Sequence, residues 1–290
     1  MRLRRSLLFV CGASPAALEA ARQSLADSLI LDLEDTVTPP QKPRARALVT
    51  EFLRRPARPG LERSVRVNAL RTPWFAEDVA SAAGAGAEAL VVPKVESVED
   101  IRAVEEQLSR DERRAGRGEG SVKVLALIET PRGVLAAAAI AEASPRVEAL
   151  VIGHVDLSRS LGIKEAGAME GTILYARCHL VLAAKAAGKE AIDAVFMNLD
   201  DPEGFAAEAR QGLGLGFAGK LVIDERQVAL AHEAYRPTEA EVASARRLHP
   251  LRHHFARGKA GWHQLRVGDG RCDRGGRDHD HRANPPDFVR

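Results

Sequence analysis

The stretch LILDLEDTV (29–37) reads as a buried strand that turns polar at one end. Leu29, Leu31 and Leu33 share one face, suited to packing under helices. Ile30, Asp32 and Glu34 share the other, and that face gains charge toward its carboxyl end. The same pattern recurs along the chain. SVRVN (64–68) sets Val65 and Val67 against Ser64, Arg66 and Asn68. In ALVVPK (89–94), Leu90, Val92 and Lys94 repeat the trend. VLALIET (124–130) ends at Glu129, and LVIGHVDL (150–157) ends at Asp156. Short apolar, β-branched runs of this kind are buried strands. Successive strand ends meet on one rim only in a parallel sheet or a barrel, and a charged residue on that rim usually serves chemistry.

Eight strands are expected, over 6–10, 29–33, 64–67, 88–92, 123–128, 148–152, 192–196 and 219–223. Between them lie Ala-rich helical patterns, among them 15–26, 72–82, 97–109, 132–142, 172–187 and 202–211. Thr72-Pro73 and Ser97, the latter ahead of Glu99, are helix-start signals. Strict alternation of strand and helix implies a parallel sheet covered on both faces. Eight such units favour a closed α/β barrel, a single (β/α)8 domain over residues 1–250, with a C-terminal extension over 251–290.

The totals agree. The chain has 290 residues, 45% of them hydrophobic, enough for one large core. A net charge of +2 points to neither nucleic acid nor membrane. No run approaches the roughly 18 apolar residues of a membrane span. The start MRLRRSLLFV is too short in its apolar part for a signal peptide. Cys11, Cys178 and Cys272 are widely spaced and form no metal motif or disulfide framework, which fits a reducing cytoplasm. Segment 249–290 breaks the pattern: it holds six of the nine histidines, six glycines and a net charge of +4. It is expected to be a poorly ordered extension rather than a second domain.

Glu129 and Asp156 end consecutive strands, so the barrel makes them neighbours. Two carboxylates with an arginine nearby suit a hard divalent cation holding an anion, with water and substrate oxygens completing the shell, the habit of magnesium. Arg66 needs a partner if buried. It either bridges Glu34 or Asp35 or offers its fork to a substrate carboxylate or enolate, and both can hold together. One of Asp32, Glu34 and Asp35 is expected to support Arg66 or Lys94. His154, two residues before Asp156 on the same side of the strand, is a ligand, a base or a core imidazole. Cys11 reads as a small buried apolar group. Gly214, Gly216 and Gly219 spell GxGxxG after a helix and before a strand, the wrong context for a dinucleotide, so they read as the entry to the eighth strand. Asp278-His279-Asp280-His281 reads as compositional.

Taken together, SLLFVCG (6–12), LILDLEDTV, SVRVNAL with TPW (64–74), LVVPKVES (90–97), LIETPRGVL (127–135), GHVDLSRSLG (153–162), YARCHLVLAAKAAG (175–188), DDPEGF (200–205) and GFAGKLVID (216–224) resemble the HpcH/HpaI aldolase/citrate lyase family. The resemblance is to its citrate lyase β-subunit-like branch of acyl-CoA ester lyases, from about Arg5 to Leu248. It implies a TIM barrel, a homo-oligomer (trimer or hexamer), magnesium dependence, and cleavage or formation of a carbon–carbon bond in a 3-hydroxyacyl-CoA ester such as citryl-, citramalyl- or malyl-CoA. Some members hydrolyse the thioester. By position, Glu129 and Asp156 match the family's metal ligands, and Arg66 and Glu129 its substrate contacts. Arg66 would stabilise charge on a thioester enolate. The chain departs from the family at Cys11 (usually proline), Val155 (commonly a second acid), Asp224-Glu225 (usually His-Pro) and the tail. A thioesterase on the same scaffold, or a metal-binding non-catalytic subunit, are the alternatives.

Overall fold

The computed structural model describes residues 2–164, 170–240, 242 and 243. The chain divides into two units between Arg236 and Pro237. In the second, the Val242 N–H donates to the Thr238 carbonyl at 3.0 Å. The extension 251–290 lies outside the described residues.

The first unit is the expected closed parallel barrel. Its strands are β1 (Ser6–Cys11), β2 (Ser28–Asp32), β3 (Glu62–Arg66), β4 (Ala89–Val92), β5 (Lys123–Ile128), β6 (Val147–Ile152), β7 (Glu190–Asp193) and β8 (Gly219–Val222). Each pairs with the next, and β8 closes on β1 through Leu7 opposite Leu221. The helices are α1 (Pro15–Ala21), α2 (Lys42–Arg54), α3 (Phe75–Ala85), α4 (Val98–Arg114), α5 (Pro131–Glu142), α6 (His154–Leu161), α7 (Gly171–Ala186), α8 (Pro202–Leu215) and α9 (Glu225–Ala234). Among the described residues no helix is long and apolar enough to cross a membrane.

Alternation along the strands sorts the core into two layers. Leu7, Ile30, Ala89, Val91, Leu125, Leu127, Ala149, Val151, Ile192 and Leu221 fill the barrel. Leu29, Leu31, Leu33, Val65, Val67, Leu90 and Val92 pack outward under the helices. Each large side chain so buried is worth about 1.5–3 kcal/mol.

Three expectations change. In β4 it is Ala89 and Val91 that face inward, while Leu90 and Val92 face the helices. Lys94 therefore reaches the rim by a backbone turn, not by simple alternation. Thr72 does not cap α3; its hydroxyl bonds the Ala69 carbonyl, and the helix starts three residues later. LVIGHVDL is not all strand: β6 stops at Ile152, and residues from His154 form α6. Ser97 does cap α4, accepting from Asp100 N–H at 3.2 Å. The GxGxxG segment is structural as expected. Gly216 ends α8 at φ 107°, and a Cβ on Gly219 would lie 1.7 Å from the Arg4 carbonyl oxygen.

Candidate active site

A cavity of about 940 Å3 opens at the carboxyl ends of the strands, and Arg66, Glu129 and Asp156 all line it. Its floor includes Leu127 and Leu221 of the inner barrel layer.

Arg66 ends β3 and is 8% exposed. Its Nε and Nη2 donate to the two carboxylate oxygens of Asp32, both at 2.7 Å. Nη1 lies 3.2 Å from both Glu34 Oε2 and Asp35 Oδ2. Phe9 lies beneath the guanidinium, 4.7 Å from ring centre to Cζ. So the internal bridge exists, but its main partner is Asp32, which is fully buried. The reason is the shared inward face: Asp32 and Arg66 are paired residues of adjacent strands. All three crowded acids support Arg66, and Glu34 also supports Lys94, whose Nζ donates to Glu34 Oε1 at 3.0 Å.

Glu129 follows Leu125 and Leu127 on the inward face of β5 and is 4% exposed. Its Oε1 accepts from the Lys94 backbone N–H at 2.9 Å. Its Oε2 lies over Gly153, where a Cβ would sit 2.6 Å away, so the glycine makes room for the carboxylate. Burial, then the charges of Glu34 and Asp156, push the Glu129 carboxyl up to about 8 against the pull of Lys94 and Arg66. Burial also raises Glu34, despite Arg66 and Lys94.

Asp156 stands in the first turn of α6, a favourable place for an acid. Its Oδ1 accepts from Arg159 Nη1 at 2.8 Å, and its Oδ2 lies 3.6 Å from Lys94 Nζ. His154 opens α6 and lines the cavity as Asp156 does, but from a helix rather than from the strand expected. Cys11 also lines the cavity, half-buried, its thiol 3.4 Å from the Thr36 carbonyl. Asp224 caps α9 by accepting from Arg226 N–H at 2.9 Å, and Glu225 Oε1 accepts from Leu25 N–H at 3.2 Å.

Among the described residues no three His, Cys, Asp or Glu side chains form a ready metal cage. The donor set nonetheless fits magnesium. Two hard carboxylates suffice for an ion that keeps several waters. Burial and neighbouring acids push the Glu129 carboxyl up to about 8, and a bound cation would favour its charged form.

The sequence reading missed Phe9 under Arg66, Gly153 beneath Glu129 and Arg159 on Asp156. The last was detectable, since Asp156 and Arg159 stand three apart, the spacing of helical neighbours. Reading 150–157 as strand hid it.

A closed parallel barrel whose charged rim opens on a cavity is the architecture of TIM-barrel enzymes. Residues 5–225 match the HpcH/HpaI aldolase/citrate lyase family, and the chain belongs to it, a family of carbon–carbon lyases. The chain is 39% identical to citrate lyase subunit beta of Escherichia coli K12 over 248 residues, 85% of this chain and 82% of that one. It is 34% identical to L-malyl-CoA/beta-methylmalyl-CoA lyase of Rhodobacter capsulatus, over 85% of this chain and 83% of that one. It is 35% identical to (3S)-malyl-CoA thioesterase of Cereibacter sphaeroides, over 84% and 81%. Among solved structures, the citrate lyase beta subunit of Mycobacterium tuberculosis with oxaloacetate and magnesium superposes with a TM-score of 0.68 at 33% identity, over 82% of this chain and 100% of that one. The M. tuberculosis protein CitE with magnesium, acetoacetate and coenzyme A gives 0.67 at 32%, over 92% of each.

Proposed function

We propose that the protein is a magnesium-dependent carbon–carbon lyase that cleaves or forms a short 3-hydroxyacyl-CoA ester of the citryl-, citramalyl- or malyl-CoA kind. The observation that carries this reading is the meeting of Arg66, Glu129 and Asp156 on the rim of one cavity. The relatives crystallised with magnesium support it.

In this reading Glu129 and Asp156 hold the magnesium, Glu129 and Arg66 contact the substrate, and Arg66 is the catalytic residue. Magnesium, when bound, supplies Lewis acidity toward the hydroxyl and carboxylate oxygens of the acid portion. Arg66 offers fixed positive charge to the thioester oxygen as that portion gains enolate character. Asp32 grips its fork at two points, so the guanidinium does not have to reorganise. The apolar floor of Leu127 and Leu221 keeps that charge out of bulk water, where it would be weakened. One such contact is typically worth about 3–4 kcal/mol of barrier.

The test is product analysis with citryl-, citramalyl- and malyl-CoA plus magnesium. A lyase releases a short acyl-CoA and a keto acid, and Glu129→Gln or Asp156→Asn abolishes both turnover and magnesium binding. Free CoA as the product would instead support the second reading, a thioesterase, which the 35% identical malyl-CoA thioesterase favours. No product with any of the three would leave a non-catalytic, metal-binding subunit.

The reading extends to a cytoplasmic homo-oligomer, a trimer or hexamer, checked by light scattering of the purified protein. From its composition, segment 251–290 is unnecessary for the barrel. Truncation after Pro250 is expected to leave the fold and magnesium affinity unchanged, and an insoluble product would refute this.

A further inference from the structure

Among the described residues Lys94 is the one non-glycine with a left-handed backbone, at φ 55°. A side chain at that angle crowds its own backbone, so surrounding contacts must hold it there. Those contacts reach acids on three separate segments of the rim. The backbone N–H donates to Glu129 Oε1 at 2.9 Å. The ammonium donates to Glu34 Oε1 at 3.0 Å and lies 3.6 Å from Asp156 Oδ2. Glu34 in turn lies 3.2 Å from Arg66 Nη1.

A chain of alternating charge therefore crosses the mouth of the barrel: Asp32, Arg66, Glu34, Lys94, Asp156, Arg159. One end, Asp32, is fully buried, while the Arg159 side chain is 74% exposed. Lys94 is its middle cation. Without it the chain falls into an Arg66 half and an Asp156 half. A lysine that only solvated the surface could meet one of these acids from an ordinary backbone. Meeting all three, with its N–H aimed at Glu129, takes the left-handed turn.

We propose that Lys94 is a positioning residue of the lyase site. Its left-handed backbone aims Glu129, and its ammonium, steadied by Glu34, sets Arg66 and Asp156 in register. The proposal rests on reading Glu129 and Asp156 as the magnesium ligands and Arg66 as the substrate contact. The register matters because the two halves grip different things, the ion on one side and the developing anion on the other.

This role separates metal affinity from turnover. Lys94→Met removes a positive charge beside Asp156, so magnesium binds more tightly. It also uncouples the two halves, so turnover falls. A purely structural lysine would lower stability and move both in the same direction. Calorimetric titration with magnesium chloride alone, melting temperature, and kcat and KM with the ester the wild-type protein cleaves fastest are measured for each variant. Lys94→Met is expected to bind magnesium at least threefold more tightly while kcat drops at least tenfold. Glu34→Gln, which removes a negative charge, binds magnesium more weakly. Lys94→Arg restores part of the turnover. Lys94→Gly repeats the methionine variant with a higher melting temperature, because glycine tolerates the positive φ.

Wild-type magnesium affinity in Lys94→Met, or a loss of turnover that only follows a loss of folded protein, overturns the proposal. Unchanged magnesium affinity in both Glu129→Gln and Asp156→Asn overturns the underlying reading, and this proposal with it. If those two variants lose the metal and Lys94→Met matches wild type, the Lys94 proposal alone fails.

Discussion

The two ends of this barrel are built from the same parts and do opposite things. At the amino-terminal end Arg4 is 3% exposed and bonds Glu62 through Nε and Nη2 and Glu190 through Nη1, each at 2.7 Å, and it also pairs with Glu148. These acids stand at the starts of β3, β6 and β7, on different sides of the barrel, so one guanidinium ties the end shut. At the carboxyl end Arg66 likewise meets three acids, Asp32, Glu34 and Asp35. There Glu129, just past β5, and Asp156, in the first turn of α6, line a cavity together with Arg66. One end is a closed ion cluster. Acids outnumber cations at both ends, but at the carboxyl end they line a cavity that a cation can enter. An arginine among carboxylates is therefore no sign of function by itself; carboxylates that face open space are.

Arg4→Met breaks the comparison most strongly. It leaves Glu62 buried without its main partner and is expected to cost about 3–5 kcal/mol in urea unfolding. Magnesium affinity of the protein that remains folded should not change. If it does, the two ends are coupled and the contrast fails.

Arg66→Lys tests the other arginine. Lysine keeps the charge and loses the planar fork, so kcat/KM should fall about a hundredfold. Because the fork also holds fully buried Asp32, the melting temperature should fall as well. A variant with normal turnover and lowered stability would make Arg66 a second Arg4.

The ends should also answer pH with opposite sign. At the amino-terminal end, Glu112 in the last turn of α4 is fully buried beside Arg146, just ahead of β6; it is desolvated, yet Arg146, the N–H groups of Val122 and Gly120, and the Ser121 hydroxyl together hold it at about 2. Its folded value lies below the unfolded one. Its contribution is thus complete above about pH 4.5 and lost as pH falls toward about 2. At roughly 1.4 kcal/mol per unit this is about 3 kcal/mol at most, and Glu112→Gln should flatten the acid limb of the stability curve. Glu129, raised to about 8, works the other way. Metal-free protein should lose stability as pH climbs from about 4.5 to about 8, and added magnesium should cancel the loss.

The smallest effect expected is at Gly153. Its alanine variant would press a Cβ to within 2.6 Å of Glu129 Oε2 and displace the carboxylate. Magnesium affinity should drop about tenfold, or about 1.4 kcal/mol by calorimetry, with the barrel intact. Unchanged affinity would mean that Glu129 adjusts freely.

Fold and rim were legible because both follow from local periods. A two-residue alternation places Ile30 inside and Leu31 outside, and eight strand–helix units leave a barrel as the economical closure. The same alternation marks Arg66 and Glu129 as inward-facing at strand ends. It fails at β4, where Ala89 and Val91 face in, because two adjacent valines and a leucine are equally apolar on both faces. It fails again at 150–157, where a strand and a helix meet within a few apolar residues and hydrophobic run length cannot separate them.

The sequence by itself determined the barrel, its polar rim, and which arginine and carboxylates stand on it. Only the tertiary structure decided who pairs with whom. Asp32 takes the fork of Arg66, Gly153 makes room for Glu129, and Lys94 turns left-handed to reach three acids. Side-chain period is a property of one strand. Pairing in a low-dielectric mouth depends on which strands become neighbours and at what register, and that is fixed only when the sheet closes.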